Sequence, residues 1–434
     1  MPRVLLISFT YPPGFGSGGI RISKYAKFLP EFGWEPYVLT VDPRRYPFQG
    51  GFESLIGKAP VVATDFFDPL SWVKRLYPLE SKSAGGESSS AKESRRRRFI
   101  QMIRPAAKYI WDLIYFPDPQ IGWYPYAVQA GRRIIQKNKI DVVFSSSPPH
   151  TDHLVGASLA KRHHLPWVAE YRDPWTGQHT YQKYWPMPMM DRWLERRTLS
   201  GASGIITISS TMARILSEKL GRPVEVIENG FDPDDLPAKS AGTAGPFVLL
   251  HAGTLYRGQR DPGLLFEGLK ILKEKLGLTP NRFQIHFVGV RSEMASDFAS
   301  RHGVTELVKV FSREPYPDAI RRQSQATALL LLGVNDPMGG GVLTGKMFEF
   351  FGLRRPIFCV SAPDRDLEEI ILRTRTGQFV TTPGDVAEGL SRWIEEFERT
   401  GGVGYRPNEN ETNKYHRREC ARKLSEILNI SKRG

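Results

Sequence analysis

The residues with the clearest chemistry lie in one glycine-rich segment of the second half of the chain. Gly340, Gly341, Thr344 and Gly345 stand just before Lys346, between a strongly apolar run and a helical pattern. The free N–H groups at a helix start, together with the helix dipole, favour a bound phosphate. A lysine ammonium beside them neutralises part of the phosphate charge. This pattern predicts a phosphate-binding site.

Glu349 follows one helical turn beyond this lysine and lies on the same face of the predicted helix. Its carboxylate can accept hydrogen bonds from ribose hydroxyls, so the spacing favours a nucleotide. A surface Lys–Glu pair is the alternative, worth only a few tenths of a kcal/mol, and it leaves the glycines unexplained. The segment is not a Walker P-loop, because Met347 replaces the Ser or Thr that the motif requires.

Two further polar segments directly follow predicted strands. Arg172 and Asp173 come after one apolar run, and Gly253, Arg257 and Arg260 come after another. Ligands of parallel sheets bind outside the carboxyl ends of the strands, and arginines suit a diphosphate. A loop salt bridge and surface arginines are the respective alternatives.

A glycine pattern near the N-terminus allows a different chemistry. Residues 14–19 match G-x-G-x-x-G, and Asp42 ends the next predicted strand, where a ribose-binding acid would lie. An NAD-dependent oxidoreductase or epimerase is therefore an alternative, although Tyr11-Pro12-Pro13 makes the loop longer than a tight dinucleotide-binding turn. Arg21, in the first helical turn, either adds positive charge here or faces solvent.

Two histidines follow another predicted strand. His150 and His153 are three residues apart, as neighbours on a helix would be. Without further ligands at suitable spacing they do not predict a metal site, and a single histidine contacting a ligand is the functional alternative to ordinary packing.

These residues need strands and helices to position them. Short apolar runs indicate strands buried in parallel sheets. They lie at 4–9, 37–41, 141–146, 167–170, 204–208 and 224–227, and again at 247–251, 284–288, 328–332 and 356–360. The Ala/Gly/Ser/Pro-rich segment 237–246 between the two sets predicts a linker. We therefore predict two α/β domains, 1–238 and 239–434, the second closed by a helix over 414–428.

Composition restricts the partners. The 434 residues contain 60 Lys+Arg and 46 Asp+Glu, a net charge of +14, which favours anionic partners. Two distant cysteines exclude a disulfide scaffold and a cysteine zinc site.

The absence of a signal peptide pattern or a long apolar run predicts a cytoplasmic or peripheral protein. A basic insertion at about 81–116 is predicted to be mobile, and its basic, aromatic part 95–116 to bind an anionic membrane, or else to lead into an ordinary core helix. No nucleic-acid recognition module is visible.

In order along the chain, four segments resemble the retaining glycosyltransferases of the GT-B fold, family 4. They are SFTYPPGFGSGGIR, AEYRDPW, HAGTLYRGQRDP and LTGKMFEFFGLRRPI. The resemblance covers nearly the whole chain. It implies two Rossmann-like, doubly wound domains that face each other across a cleft, the first binding an acceptor and the second a nucleotide-sugar donor. It also implies a hexosyltransferase without metal or cofactor, using a UDP- or GDP-sugar, with a glycan or lipid-linked acceptor as in bacterial surface polysaccharide assembly at the inner face of the plasma membrane.

The resemblance also assigns roles by position. Glu349 would bind the ribose, while Lys346, Thr344 and residues 339–341 would lie near the sugar or diphosphate. The other carried-over positions are Arg257 and Arg260 at the phosphates, Gly18 and Gly19 facing them from the first domain, and Arg172 and Asp173 near the reacting sugar. Gly341 stands where many members have the first of two glutamates, so a non-catalytic glycosyltransferase-like subunit is a further alternative.

Arg257→Ala, Arg260→Ala and Lys346→Ala should each lower the transferase rate by on the order of 10²–10³, because each removes positive charge from the leaving diphosphate. Steady-state kinetics with a donor panel would measure this. Full activity in all three variants would refute the assignment.

Overall fold

The computed structural model describes most of the chain. The described residues are 1–14, 17–45, 57–68, 108–177, 183–237, 245–255, 262–290, 292–334 and 343–433. Of the predicted insertion 81–116 they include only 108–116, of which 108–114 are helical.

The first unit is a seven-stranded parallel sheet with strand order β3-β2-β1-β4-β5-β6-β7. Its strands are β1 (Arg3–Ile7), β2 (Glu35–Val41), β3 (Val61–Thr64), β4 (Val142–Ser147), β5 (Trp167–Tyr171), β6 (Gly204–Thr207) and β7 (Glu225–Val226). The helices are α1 (Ser17–Phe28), α2 (Tyr124–Asn138), α3 (Thr151–His163), α4 (Met187–Leu199) and α5 (Ser210–Leu220). The order reverses between β1 and β4, which is where such sheets bind ligands.

The second unit repeats this plan with six parallel strands in the order β10-β9-β8-β11-β12-β13. The strands are β8 (Phe247–Ala252), β9 (Phe283–Val288), β10 (Val308–Phe311), β11 (Ala328–Leu332), β12 (Ile357–Val360) and β13 (Gly377–Val380). The helices are α6 (Gly263–Leu276), α7 (Ser292–Arg301), α8 (Tyr316–Gln325), α9 (Gly345–Leu353), α10 (Arg365–Thr374), α11 (Pro383–Thr400), α12 (Glu409–Asn413) and α13 (Arg417–Arg433).

The ten strands predicted from apolar runs are confirmed, and the predicted two-domain α/β fold with them. Three further strands, β3, β10 and β13, were not predicted, and each is an outermost strand of its sheet. Their side chains are mostly exposed or half-buried, whereas those of β1, β4 and β11 are almost all buried. An edge strand needs no continuous apolar run, so its sequence carries a weaker signal.

The last helix, α13, packs on the first unit although its sequence follows the second. Cys420, Ala421, Leu424 and Leu428 are buried in one cluster with residues of β1, β4 and α1. The domain boundary near 238 stays a prediction, because 238–244 lie outside the described residues. The structure adds that the predicted closing helix completes the core of the first unit.

Among the described residues, no helix combines the length and the apolar character that crossing a bilayer requires.

Leu424→Ala should lower the free energy of unfolding of the first unit by about 2–5 kcal/mol, because a fully buried side chain leaves a cavity. Urea unfolding followed by circular dichroism would measure the change. Ile430→Ala is the control on the same helix; its side chain is 71% exposed, so a change within about 0.5 kcal/mol is expected. Equal effects of the two substitutions would contradict the packing of α13.

Candidate functional site

The carboxyl end of β5 is organised by a buried ion pair. Both Arg21 and Glu170 are fully buried, and Arg21 Nε and Nη2 donate to Glu170 Oε1 at 2.9 and 2.8 Å. Tyr25 Oη donates to the same oxygen at 3.0 Å, and Ser146 Oγ donates to Oε2 at 2.6 Å. Although burial alone raises the pKa of Glu170, the guanidinium lowers it below its ordinary value.

The remaining donors of Arg21 are also used within the protein. They bond the carbonyl oxygens of Ile227 and Glu228 at 2.7 Å each and Asn229 Oδ1 at 3.2 Å. Arg21 is therefore neither a solvent-facing residue nor an anion contact. Both of its sequence-based interpretations are wrong, because its guanidinium joins α1 to β5 and to the segment after β7.

Arg172 occupies the space beside the first turn of α1. A Cβ built at Gly18 would lie only 1.7 Å from Arg172 Nη1, so a side chain at Gly18 would displace the guanidinium. Arg172 Nη2 donates to the carbonyl oxygen of Pro148, while its Nε is buried without a hydrogen-bond partner among the described residues. Burial lowers the pKa of this guanidinium. A cation at the positive end of a helix favours a bound anion between them.

Gly19, the next residue, packs against backbone. Its Cβ would lie 3.1 Å from the carbonyl oxygen of Thr10, in the loop after β1. Gly18 and Gly19 therefore set the approach of α1 to Arg172 and to the β1 loop. Their predicted contact with donor phosphates stays a prediction.

The two predicted histidines lie at the start of α3, each bonded to a serine of β4. Ser145 Oγ lies 2.8 Å from His153 Nδ1 and accepts a hydrogen bond from Trp167 Nε1 at 2.8 Å. The other ring nitrogen of His153, Nε2, is buried without a partner in the described ranges. Ser147 Oγ lies 2.7 Å from His150 Nδ1. Burial lowers the pKa of His150 well below its usual value and that of His153 to about 3.

The loop after β5 is tied to α4. The His150 ring stacks on Trp175 with centroids 4.8 Å apart, and Trp175 Nε1 donates to Asp191 Oδ1 at 3.2 Å. Thr176 Oγ1 donates to Glu195 Oε2 at 2.8 Å. Asp173, half-buried next to Arg172, therefore lies in a loop held from both sides.

The second unit brings the loop after β8 against the start of α9. Gly253 has φ 129°, and a Cβ there would lie 1.6 Å from Lys346 Nζ. Only glycine suits both the backbone conformation and the approach of the lysine. The structure thus brings two segments together, the loop after β8 and the start of α9, that are distant in the sequence.

The start of α9 offers groups for an anion. Thr344 is its N-terminal cap residue but makes no side-chain capping bond. The Oγ1 atom of Thr344 is buried and has no hydrogen-bond partner within the described part of the chain. A Cβ at Gly345 would meet no described heavy atom within 4 Å, so the first turn is open beside it.

Glu349 lies one turn further, held by another helix. Tyr316 Oη donates to its Oε1 at 3.2 Å. Burial raises the pKa of Glu349, an effect opposed by the cations Lys346 and Arg417. Arg417 is itself buried, lies 3.5 Å from Asn229 Oδ1 and interacts with both Glu349 and Arg21. Sequence reasoning missed Tyr316 and Arg417, because neither belongs to a motif.

The predicted site residues thus form two groups. One group lies at the carboxyl ends of β1 and β5 in the first sheet and consists of Gly18, Gly19, Arg172 and Asp173. The other lies at the carboxyl end of β8 in the second sheet and consists of Gly253, Thr344, Gly345, Lys346 and Glu349. Gly340, Gly341, Arg257 and Arg260 lie outside the described residues. Asp42, the acid of the dinucleotide alternative, is paired with Arg44 at 2.6 Å.

Comparison with known proteins identifies the fold. Residues 90–235, less than half of the chain, match the family model described as Glycosyltransferase Family 4. A sucrose-phosphate synthase from Thermosynechococcus elongatus superposes with TM-score 0.61 at 13% identity, each chain being 99% covered. Anabaena HepE in complex with UDP gives 0.60 at 15% identity, covering 99% of this chain and all of HepE. The lipopolysaccharide outer core galactosyltransferase WaaB gives 0.56 at 15% identity, with 99% of both covered.

A search of curated proteins finds no significant match. The two parallel-sheet units and these structural neighbours establish the GT-B fold.

The His153 ring should stay neutral between about pH 8 and pH 5, because its pKa is lowered to about 3. The NMR signal of the His153 imidazole C–H, assigned by its loss in His153→Gln, should not shift between about pH 8 and pH 5 in the folded protein. In urea, where the protein is unfolded, the same signal should titrate with a midpoint near pH 6.5. Because the folded pKa lies below the unfolded value, the stability from neutral His153 is complete above about pH 6.5. It falls by up to about 1.4 kcal/mol per pH unit below that. A folded-state midpoint between 6 and 7 would contradict the burial.

Proposed function

We propose that this GT-B protein is a retaining glycosyltransferase that moves a hexosyl group from a nucleoside diphosphate sugar to a glycan or lipid-linked acceptor. The observation that carries the proposal is the start of α9, which presents the Thr344 hydroxyl, without a partner among the described residues, the Lys346 ammonium and the half-buried Glu349 carboxylate.

The first turn of α9 suits the donor diphosphate. Its backbone N–H groups and the Thr344 hydroxyl donate hydrogen bonds, and Lys346 supplies charge where it touches Gly253. Arg257 and Arg260 follow Gly253 in the same loop of the sequence. We assign them to the same phosphates.

Glu349 suits the ribose of the nucleotide. Its carboxylate is fixed by Tyr316 and by the helix, one turn from the phosphate-binding end. Ribose hydroxyls donate best to the ionised form. Because burial raises the pKa of Glu349, nucleotide affinity should increase as the pH rises through that pKa.

The chemistry rests on charge stabilisation of the leaving group. As the bond from the sugar to the diphosphate breaks, negative charge builds on the phosphate and the sugar becomes oxocarbenium-like. Preorganised donors aimed at that charge supply much of the rate enhancement. The acceptor hydroxyl oxygen bonds the anomeric carbon on the face that the diphosphate leaves, and its proton passes to the leaving phosphate oxygen. The configuration is then retained without a side-chain base or a metal. Arg172, whose guanidinium lies beside the first turn of α1, and Asp173 would face the reacting sugar from the first unit.

The compared structures support UDP as the first nucleotide to test, since HepE was solved in complex with UDP. We further propose surface polysaccharide or glycoconjugate assembly as the biological setting, at the cytoplasmic face of the membrane. The net charge of +14 supports such a location.

A non-catalytic, nucleotide-sugar-binding subunit is the second candidate. Gly341 favours it, because the resemblance to family 4 implies a glutamate at this position and the chain has glycine there. Binding of the donor without turnover on any acceptor would support this role.

Glu349→Ala should weaken binding of the preferred nucleoside diphosphate by on the order of 10–100-fold, because it removes charged acceptors for ribose hydroxyls. Calorimetry with UDP, GDP, ADP and NAD would measure this, and affinity of the parent protein for its preferred nucleotide should rise with pH. Glu274→Ala, at an exposed position on α6, is the matched control.

Two results would overturn this donor site. One is preferential NAD binding, which would favour the oxidoreductase alternative. The other is unchanged nucleotide affinity in Glu349→Ala.

A further inference from the structure

The outer face of α4 consists of large apolar side chains and arginines. Met189, Met190 and Trp193 are exposed, Trp193 by 62%. Arg192, Arg196 and Arg197 are exposed between and beside them, and the Arg197 guanidinium lies 5.6 Å from the centre of the Trp193 ring. We call these six residues the outer face of α4. Such a face is unusual in a water-soluble helix, since apolar surface of this size commonly marks an interaction site.

The carboxylates of α4 point the other way. Asp191 and Glu195 are fully buried. Asp191 pairs with Lys183 at 2.7 Å, and Glu195 pairs with Lys219 at 2.5 Å. The outer face therefore presents cationic charge that no acidic side chain of the same helix balances.

The apolar surface continues onto the neighbouring chain segments. Trp185 is 78% exposed and Tyr184 48% exposed. The ammonium of Lys108 lies 5.4 Å from the centre of the Tyr184 ring, which brings the helical residues 108–114 next to this segment. Ile110 and Leu113 of that helix are also more than half exposed.

The one acidic side chain on this neighbouring helix adds little negative charge. Asp112 is paired with Lys108 at 2.6 Å and its side chain is 13% exposed. Both helices thus combine exposed apolar groups with neutralised or inward-facing carboxylates.

We propose that the outer face of α4, with Tyr184, Trp185 and the helical residues 108–114, binds the surface of an anionic lipid bilayer. Tryptophan and tyrosine favour the interface between headgroups and acyl chains. Arginines bind lipid phosphates, and the methionine, isoleucine and leucine side chains enter the outer acyl region.

Charge decides against a second copy of the chain as the occupant. A symmetric dimer through this face would bring the arginines of α4 near those of its partner, and like charges at an interface oppose association.

The proposal deepens the membrane location given under the proposed function, because it names the surface that binds lipid, and it does not rest on the donor site. It does have a consequence for the site, because the inner face of the same helix holds the loop after β5 through Asp191 and Glu195. The lipid-bound helix therefore also positions Arg172 and Asp173, which would suit an acceptor that stays in the membrane.

Vesicle binding tests the proposal with the full chain. Co-sedimentation should show binding to vesicles of phosphatidylcholine with about 30% phosphatidylglycerol, and much weaker binding to phosphatidylcholine alone. Trp185→Ser/Trp193→Ser should weaken partitioning at least about tenfold. Arg192→Gln/Arg196→Gln/Arg197→Gln should weaken it by about fivefold per arginine.

Matched control variants distinguish binding through this surface from non-specific binding by exposed apolar or cationic side chains elsewhere. Leu372→Ser/Ile430→Ser removes side chains that are 61% and 71% exposed elsewhere, and Arg214→Gln/Arg392→Gln removes two exposed arginines elsewhere. Both controls should bind vesicles within about twofold of the parent. Unchanged thermal unfolding of all variants would show that they fold.

The conservative variant Trp185→Phe/Trp193→Phe gives a second readout. It should retain vesicle binding but lose most of the fluorescence quenching that brominated lipids cause in the parent.

Three outcomes would overturn the proposal. The first is that the parent protein does not bind anionic vesicles, and the second is that the tryptophan-to-serine and the arginine-to-glutamine variants both bind them as tightly as the parent. The third is light scattering that shows a dimer which the tryptophan-to-serine variant dissociates. Nucleotide binding is measured separately, so failure of the donor site and failure of this surface are distinguishable.

Discussion

The buried pair of Arg21 and Glu170 is the contact on which the first unit depends. It joins α1, the end of β5 and the segment after β7, and the Ser146 hydroxyl donates to the remaining carboxylate oxygen. Removing one partner of such a pair costs about 3–5 kcal/mol, because the other charge is left buried and unpaired. Glu170 is the last residue but one of β5, and Arg172 and Asp173 directly follow that strand.

A second buried guanidinium, that of Arg417, links the polar residues of the second unit to this ion pair. Arg417 lies on the helix that returns to the first unit, and it interacts with Glu349 of the second unit and with Arg21 of the first. Two buried guanidiniums near each other repel, and the nearby carboxylates offset that repulsion. The charges of Arg21 and Arg417 are thus offset within the protein, by Glu170 and by Glu349 respectively.

Much of the fold was predictable because it depends on local pattern. Strands buried on both faces are continuous apolar runs, and the spacing of Lys346 and Glu349 follows from helix geometry. Edge strands such as β3 lack that signal. Tyr316, Arg417 and the guanidinium beside Gly18 were beyond sequence reasoning, since each meets its neighbour only through tertiary contacts between distant segments. Arg21 was misread for the same reason, as nothing near it in sequence indicates that Glu170 is its partner.

The return of α13 to the first sheet has a consequence for biosynthesis. A ribosome makes β1 through β7 first, yet the apolar face that Leu424 and Leu428 cover stays open until α13 has been added. The N-terminal unit therefore cannot complete its core before the whole second unit has been synthesised, even though its own sheet already exists. Chains that stop before residue 417 would carry this open face permanently and would be substrates for chaperones and proteases.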